Sequence, residues 1–179
     1  MGVNKIPRNQ CVNDMKKITG FTLIELVMII VVIAVIAISV MPRTVAQPSV
    51  RLEAACQKIA SDLRYVQEMS MAEQVRFGIS FDPATESYFA YRVDIGAKAK
   101  DPQTRGDLDI SLSNMSEFKG IEIASTNFNN IVEFDSIGAP YDADNNILTG
   151  QGTITVQTID AAYSRTVRIE PKTGKVSIQ

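Results

Sequence analysis

From Phe21 to Met41 the chain reads FTLIELVMIIVVIAVIAISVM, an apolar run broken by one ionisable side chain, Glu25. No other feature limits the possible folds as tightly. As a helix rising 1.5 Å per residue, the run is roughly 30 Å long, the thickness of the hydrocarbon core of a bilayer. Lys5, Arg8, Lys16 and Lys17 precede it, opposed only by Asp14. The positive-inside bias then places the amino terminus in the cytoplasm and everything past Met41 on the far side. A secretory signal has a shorter apolar core followed by small residues, whereas here the small residue, Gly20, comes before the run. Cleavage after Gly20 would remove the charges and keep the helix.

Glu25 does not suit a plain anchor. A carboxylate at the centre of a membrane helix costs about 2.5–3.5 kcal/mol on insertion scales. Its place near the cytoplasmic end lowers that cost, so the bland alternative is a tolerated interfacial acid. The run KKITGFTLIEL, residues 16–26, is more specific. It resembles the type IV prepilin signature, in which a dedicated peptidase cuts after the glycine, the new terminal residue is methylated, and the fifth mature residue is glutamate. The resemblance assigns these roles to Gly20, Phe21 and Glu25. A physical account fits it: cleavage creates a cationic amine at Phe21, which Glu25 of a neighbouring subunit could neutralise in an apolar bundle. Such a pair sets register more than it adds stability. Met15, just before Lys16 and Lys17, is an alternative start that would give a very short leader.

At 179 residues there is room for one ordinary head besides this segment. The 18 basic and 20 acidic residues leave no broad basic field for sequence-independent nucleic-acid binding. Histidine is absent, which removes the commonest general base and metal ligand near neutral pH. Cys11 and Cys56 lie on opposite sides of the expected cut, so the mature chain keeps one thiol and forms no internal disulfide. Cys56 reads as a small buried apolar residue.

Pro42 and Pro48 punctuate the exit from the apolar run, and Pro42 is the expected helix kink. Leu52, Cys56, Ile59, Leu63, Val66 and Ser70 then follow helical steps of three and four, with Arg51, Glu53, Lys58, Asp62 and Glu68 largely on other faces. This predicts an amphipathic helix packed on a sheet. Alternation at Val75, Phe77, Ile79 and Phe81, the DPATE turn, and alternation through Phe89, Tyr91 and Val93 predict a hairpin. Residues 96–116 are expected to form a long loop with little regular structure, a candidate for partner-specific contact. Further strands are expected at 121–125, 131–135, 153–159, 163–170 and 175–178, with PKTG turning between the last two.

The segments ACQKIASDLRYVQEMSMAEQVRFGISFD, IVEFDSIGAP, GTITV and TVRIEPKTGKVSI resemble the head of the H-type pseudopilin and FimT-like minor pilin family. The chain lacks the pair of carboxy-terminal cysteines of major pilins, which points away from a disulfide-looped major subunit.

Other constellations compete with blander readings. Asp142, Asp144 and Asn146 have the opening spacing of a calcium loop, but Ile147 stands where its glycine belongs and Thr153 where its final acid belongs, so a solvated turn is preferred. Asp101, Asp107 and Asp109 could act as paired carboxylates, but the loop composition offers no pocket. Tyr88, Phe89 and Tyr91 with Arg92 could stack single-stranded nucleic acid, and a sheet core explains them as well.

The expectation is therefore an α+β, pilin-like chain: a long amino-terminal helix, half membrane-spanning and half packed on an antiparallel sheet of about seven strands. Residues 1–20 would be the removed leader, 21–49 the membrane and filament-core half of the helix, and 50–179 a periplasmic head. Function would be that of a minor pilin or pseudopilin, a structural subunit and not an enzyme, at the initiation or tip of a type IV pilus or type II secretion pseudopilus. Expected partners are the prepilin peptidase and methyltransferase, other pilin or pseudopilin subunits, the inner-membrane assembly platform and the membrane itself. Nucleic acid and cofactors are not expected. The rivals are a non-polymerising anchored periplasmic binding domain, against which Glu25 argues, and an anchored hydrolase, which lacks a histidine and a nucleophile setting.

Overall fold

The computed structural model describes residues 21–40 and 47–179. The chain divides into two units, residues 1–44 and 45–179. In the first lies helix α1, Leu23–Val40. Gly20 and Pro42, the expected cleavage and kink positions, lie outside the described residues.

The second unit opens with helix α2, Pro48–Glu73, which has proline at its first position, where a missing backbone donor costs nothing. The expected stripe of Leu52, Cys56, Ile59, Leu63, Val66 and Ser70 is buried in the core, joined by Ala55, Ala60 and Asp62. Gln74 ends the helix in the left-handed region at φ 56°. The buried Ser70 hydroxyl donates to Val66 O at 3.0 Å and accepts the Phe77 amide at 3.2 Å, which joins the helix end to the first strand.

Nine strands follow: β1 Phe77–Asp82, β2 Ser87–Arg92, β3 Asp109–Ser111, β4 Ile121–Thr126, β5 Ile131–Phe134, β6 Pro140–Tyr141, β7 Gly152–Thr158, β8 Ser164–Ile169 and β9 Val176–Ile178. The expected hairpin forms as β1 and β2, with Phe81 opposite Tyr88. The strands make two antiparallel sheets in place of the single one expected, one ordered β3-β2-β1-β5-β6 and the other β4-β7-β8-β9. Both pack on α2. The division has a local cause. Asn129 and Asn130 both take positive φ between β4 and β5, so the chain turns sharply and β5 pairs back with β1. In β7 the side chains of Ile154 and Val156 point inward, between Thr153, Thr155 and Gln157 that point outward. Phe77, Ile79 and Phe81 of β1, with Val132 and Phe134 of β5, fill the other half of the core.

Glu86 links the two sheets. In the left-handed region at φ 53°, it accepts the Ile123 amide of edge strand β4 at 2.5 Å, while its carbonyl accepts from Leu112. That covers part of an edge that would otherwise be open for pairing.

The segment 96–116 corrects the sequence expectation. It is not an unstructured loop but a folded arm: Lys98 bridges to Tyr91, Lys100 bridges to Asp107, and β3 joins β2. Ala99, Leu108, Ile110 and Leu112 are buried. Their spacing is masked in sequence because the arm reverses on itself and each limb contributes only two or three apolar residues.

Candidate functional site

Of the residues expected to serve processing and assembly, Phe21 and Glu25 are described, and both lie at the start of α1. Thr22 precedes the helix, and its Oγ1 accepts the Glu25 amide at 3.3 Å, while its carbonyl accepts from Glu25 at 3.0 Å and from Leu26 at 3.2 Å. Thr-Leu-Ile-Glu therefore has the spacing of a capping box, with Glu25 in the first turn, where the helix dipole favours an anion. The sequence reading missed this local role, although the T-x-x-E spacing was visible. It gives Glu25 a second use besides pairing with a charge on another chain.

Along α1 the exposed side chains run around the whole circumference. Leu23 is 82% exposed, Met28 66% and Ile33 60%. A helix apolar on all sides is suited to a membrane or a helix bundle. Phe21, the expected new terminus, is exposed as well. No helix among the described residues is long and apolar enough to cross a membrane. The 18 described residues of α1 rise about 27 Å, while the apolar run continues in sequence to Met41.

In the head, the other constellations resolve into structural roles. Asp62, expected on the polar face of α2, is buried at 5% exposure, and Tyr88 is at 1%. The Tyr88 hydroxyl donates to Asp62 Oδ2 at 2.7 Å, and Lys58 Nζ reaches both carboxylate oxygens at 2.7 and 2.9 Å. Burial, then the Asp62 charge, pushes the Tyr88 hydroxyl well above the usual phenol range. Tyr88 is thus a core residue and cannot join a stacking platform. It separates from Phe89 and Tyr91 because neighbouring strand residues point to opposite faces. Phe89 and Tyr91 sit together on the outer face, with ring centroids 5.9 Å apart and Lys98 Nζ 5.3 Å from the Phe89 centroid. The Tyr91 hydroxyl is occupied by Glu133 at 2.9 Å, and burial with that hydrogen bond raises its pKa.

The three arm aspartates do not form a catalytic pair. Asp107 accepts from Lys100 at 2.6 Å, which holds its carboxyl below the usual range, and Asp109 pairs with Lys98. The buried Asp101 accepts the amides of Gln103 at 2.6 Å and Thr104 at 3.2 Å, closing the arm's tip. Asp142 Oδ1 likewise accepts the amides of Asp144 and Asn146, at 3.0 and 2.9 Å, so its spacing serves a turn. Among the described residues no cluster of three or more acidic, histidine or cysteine side chains could hold a metal ion. Cys56 is a free, fully buried thiol, and burial pushes its pKa up to about 12.

No protein-family model and no curated protein matches this sequence. Solved structures do. The minor pseudopilin EpsH of the type 2 secretion system of Vibrio cholerae matches with a TM-score of 0.54 at 12% identity, over 72% of this chain and 96% of that one. Two crystal forms of the type IV minor pilin FimU of Pseudomonas aeruginosa match with TM-scores of 0.49, at 11% and 10% identity, over 72% of this chain and 87% and 92% of theirs. A helix packed on antiparallel sheets has its solved counterpart in a minor pseudopilin: the fold is pilin-like.

Proposed function

We propose that the chain is a minor pilin or pseudopilin, a structural, non-enzymatic subunit assembled through its amino-terminal helix into a type IV pilus or type II secretion pseudopilus, at initiation or at the tip. One observation carries this: α1 exposes apolar side chains on every side, has a glutamate in its first turn, and precedes a head of pilin-like fold. In this reading a prepilin peptidase cuts after Gly20, the Phe21 amine is methylated, and the helix holds the subunit in the inner membrane with the head in the periplasm. The assembly platform then extracts it into a bundle of like helices. Glu25 offers the carboxylate that neutralises a terminal amine there, since a charge left unpaired in such a bundle is strongly unfavourable.

The experiment compares Glu25→Gln and Glu25→Ala for incorporation into sheared filaments or pseudopili, with membrane levels of the subunit as reference. Glutamine keeps the size of the side chain and loses its charge, whereas alanine loses both, and the bond from the backbone amide at 25 to Thr22 Oγ1 is available to either variant. Both variants are expected to remain in the membrane and drop out of the filament. Normal incorporation of Glu25→Ala overturns the proposal and favours an anchored domain that does not polymerise.

A further inference from the structure

We propose that the tip of the folded arm, Arg105-Gly106-Asp107, docks on a receptor of another cell that offers a bound divalent cation to the Asp107 carboxylate and an acidic pocket to the Arg105 guanidinium. The proposal rests on the pilus form of the proposed function, which carries the head outside the cell.

The tip is mounted on a fixed base. Ala99 and Leu108 are buried, and their backbones close a ring with Ala90 of β2. The Ala99 amide donates to Ala90 O at 2.9 Å, the Leu108 amide to Ala99 O at 2.8 Å, and the Ala90 amide to Leu108 O at 2.9 Å. From α2 the Tyr65 hydroxyl donates to Lys100 O at 3.0 Å. Beyond this base residues 102–107 are all exposed. The turn closes on itself: the Arg105 amide donates to Asp101 O and the Asp101 amide to Gly106 O, both at 2.9 Å, and the Gly106 amide donates to Thr104 Oγ1 at 3.3 Å.

The order of residues in this turn is the reverse of what the backbone asks for. Arg105 takes the left-handed region at φ 60°, where glycine would sit without strain. Gly106 is not in that region, and a β-carbon there would meet only Thr104 Oγ1, at 3.4 Å. Neither conformation nor packing requires a glycine at 106, and conformation disfavours an arginine at 105. A local rule broken without a gain in stability marks a position kept for function.

Both charges are available to a partner. Arg105 takes part in no ion pair among the described residues. Of the acids beside it, Asp101 is turned onto the amides of Gln103 and Thr104, and Asp107 is held by Lys100. The Lys100–Asp107 pair is exposed on both sides, at 68% and 48%, so exchanging the lysine for another cation costs little. Lys100 and Arg105 against Asp101 and Asp107 leave the tip without net charge, so the partner must meet each charge separately. The planar guanidinium is matched by a carboxylate, which takes two parallel hydrogen bonds. To draw a carboxylate from an ammonium group the partner needs a stronger cation, and a divalent ion with an open coordination position supplies it. The bare Gly106 lets that surface approach closely between the two side chains.

The test passes the full chain, in detergent, over an immobilised integrin ectodomain of the Arg-Gly-Asp-binding class in Mn²⁺. Saturable binding that a chelator abolishes is expected. Gly106→Ala and Asp107→Glu should each weaken it at least about tenfold, the effect of a one-carbon misfit. Arg105→Gly should abolish binding while the thermal midpoint holds or rises, because glycine relieves the left-handed turn. Lys100→Gln should tighten binding by up to about fivefold by releasing Asp107. Absence of cation-dependent binding, or equal binding by Asp107→Glu, overturns the proposal. Sheared filaments are passed over the same surface. Filaments that contain the subunit and are not captured overturn the docking and leave the assembly reading intact, whereas filaments that lack the subunit overturn both.

Discussion

Tyr88→Phe removes one oxygen from the core and nothing else, which makes it a clean probe of the network between α2 and β2. The hydroxyl donates at 2.7 Å to a carboxylate 5% exposed, and the tyrosine itself is 1% exposed, so water cannot take its place. A hydrogen bond to a charged group contributes about 1.5–3 kcal/mol, and the lower half of that range applies because Lys58 still serves both Asp62 oxygens. The ring remains packed against Phe81, whose centroid lies 5.5 Å away, so no cavity term is added. The expected loss is about 2 kcal/mol, or about 6–10 °C in Tm for a unit of this size. Urea denaturation of a fragment spanning 45–179, followed by circular dichroism, measures it. Lys58→Met, at a site a quarter exposed, should cost less than Tyr88→Phe, because solvent replaces part of its role at the carboxylate. A loss below about 0.5 kcal/mol for Tyr88→Phe, or the reverse order of the two variants, refutes the reasoning.

Three further outcomes follow from the same coordinates. Gly174→Ala forces a β-carbon to within 2.4 Å of both Gln67 Nε2 and Gly138 O at φ +65°, and should cost about 2–3 kcal/mol in the same denaturation assay. Cys56 has a folded pKa raised to about 12 from 9.0. Its contribution is fully present below pH 9 and is lost as pH rises towards 12, by about 4 kcal/mol over three units. Wild type should therefore lose stability faster than Cys56→Ala across that window in alkaline denaturation, and parallel curves would contradict it. Asp101→Ala removes the acceptor for two amides at the tip of the arm, and should speed limited proteolysis within 101–106 with a stability cost of about 1 kcal/mol, read by mass spectrometry of the nicked chain.

Period explains which parts of this fold could be read in advance. The buried stripe of α2 and the alternation in β1, β7 and β8 repeat often enough to reveal themselves, and each expected strand among them forms within a residue or two. The arm over 96–116 has no such repetition, because its two limbs place Ala99 and Leu108 in the core through pairing across a reversal. Asp62 was misplaced for a related reason. Helical spacing shows which residues lie near the core boundary, but not that β2 carries a hydroxyl to meet a carboxylate there. Two-residue β6 offers no pattern at all. At the candidate site, Glu25 stood out because it is the sole ionisable residue in an apolar run, while the cap Thr22 provides was available from spacing and went unread.

Gln67 donates to the carbonyls of Gly138 and Thr173, at 2.8 and 2.9 Å, which belong to loops of the two different sheets. Together with Arg64, which donates to Val176 O at 3.0 Å, it fastens the far half of α2 to both sheets. A pull applied at Pro48 along the helix axis therefore meets these bonds and the buried stripe side by side, in shear. Peeling would break them one at a time, whereas shear requires many to give way together. The unit is built to keep its shape when tension enters through the start of α2, and the rate of its forced unfolding is set by that shared barrier.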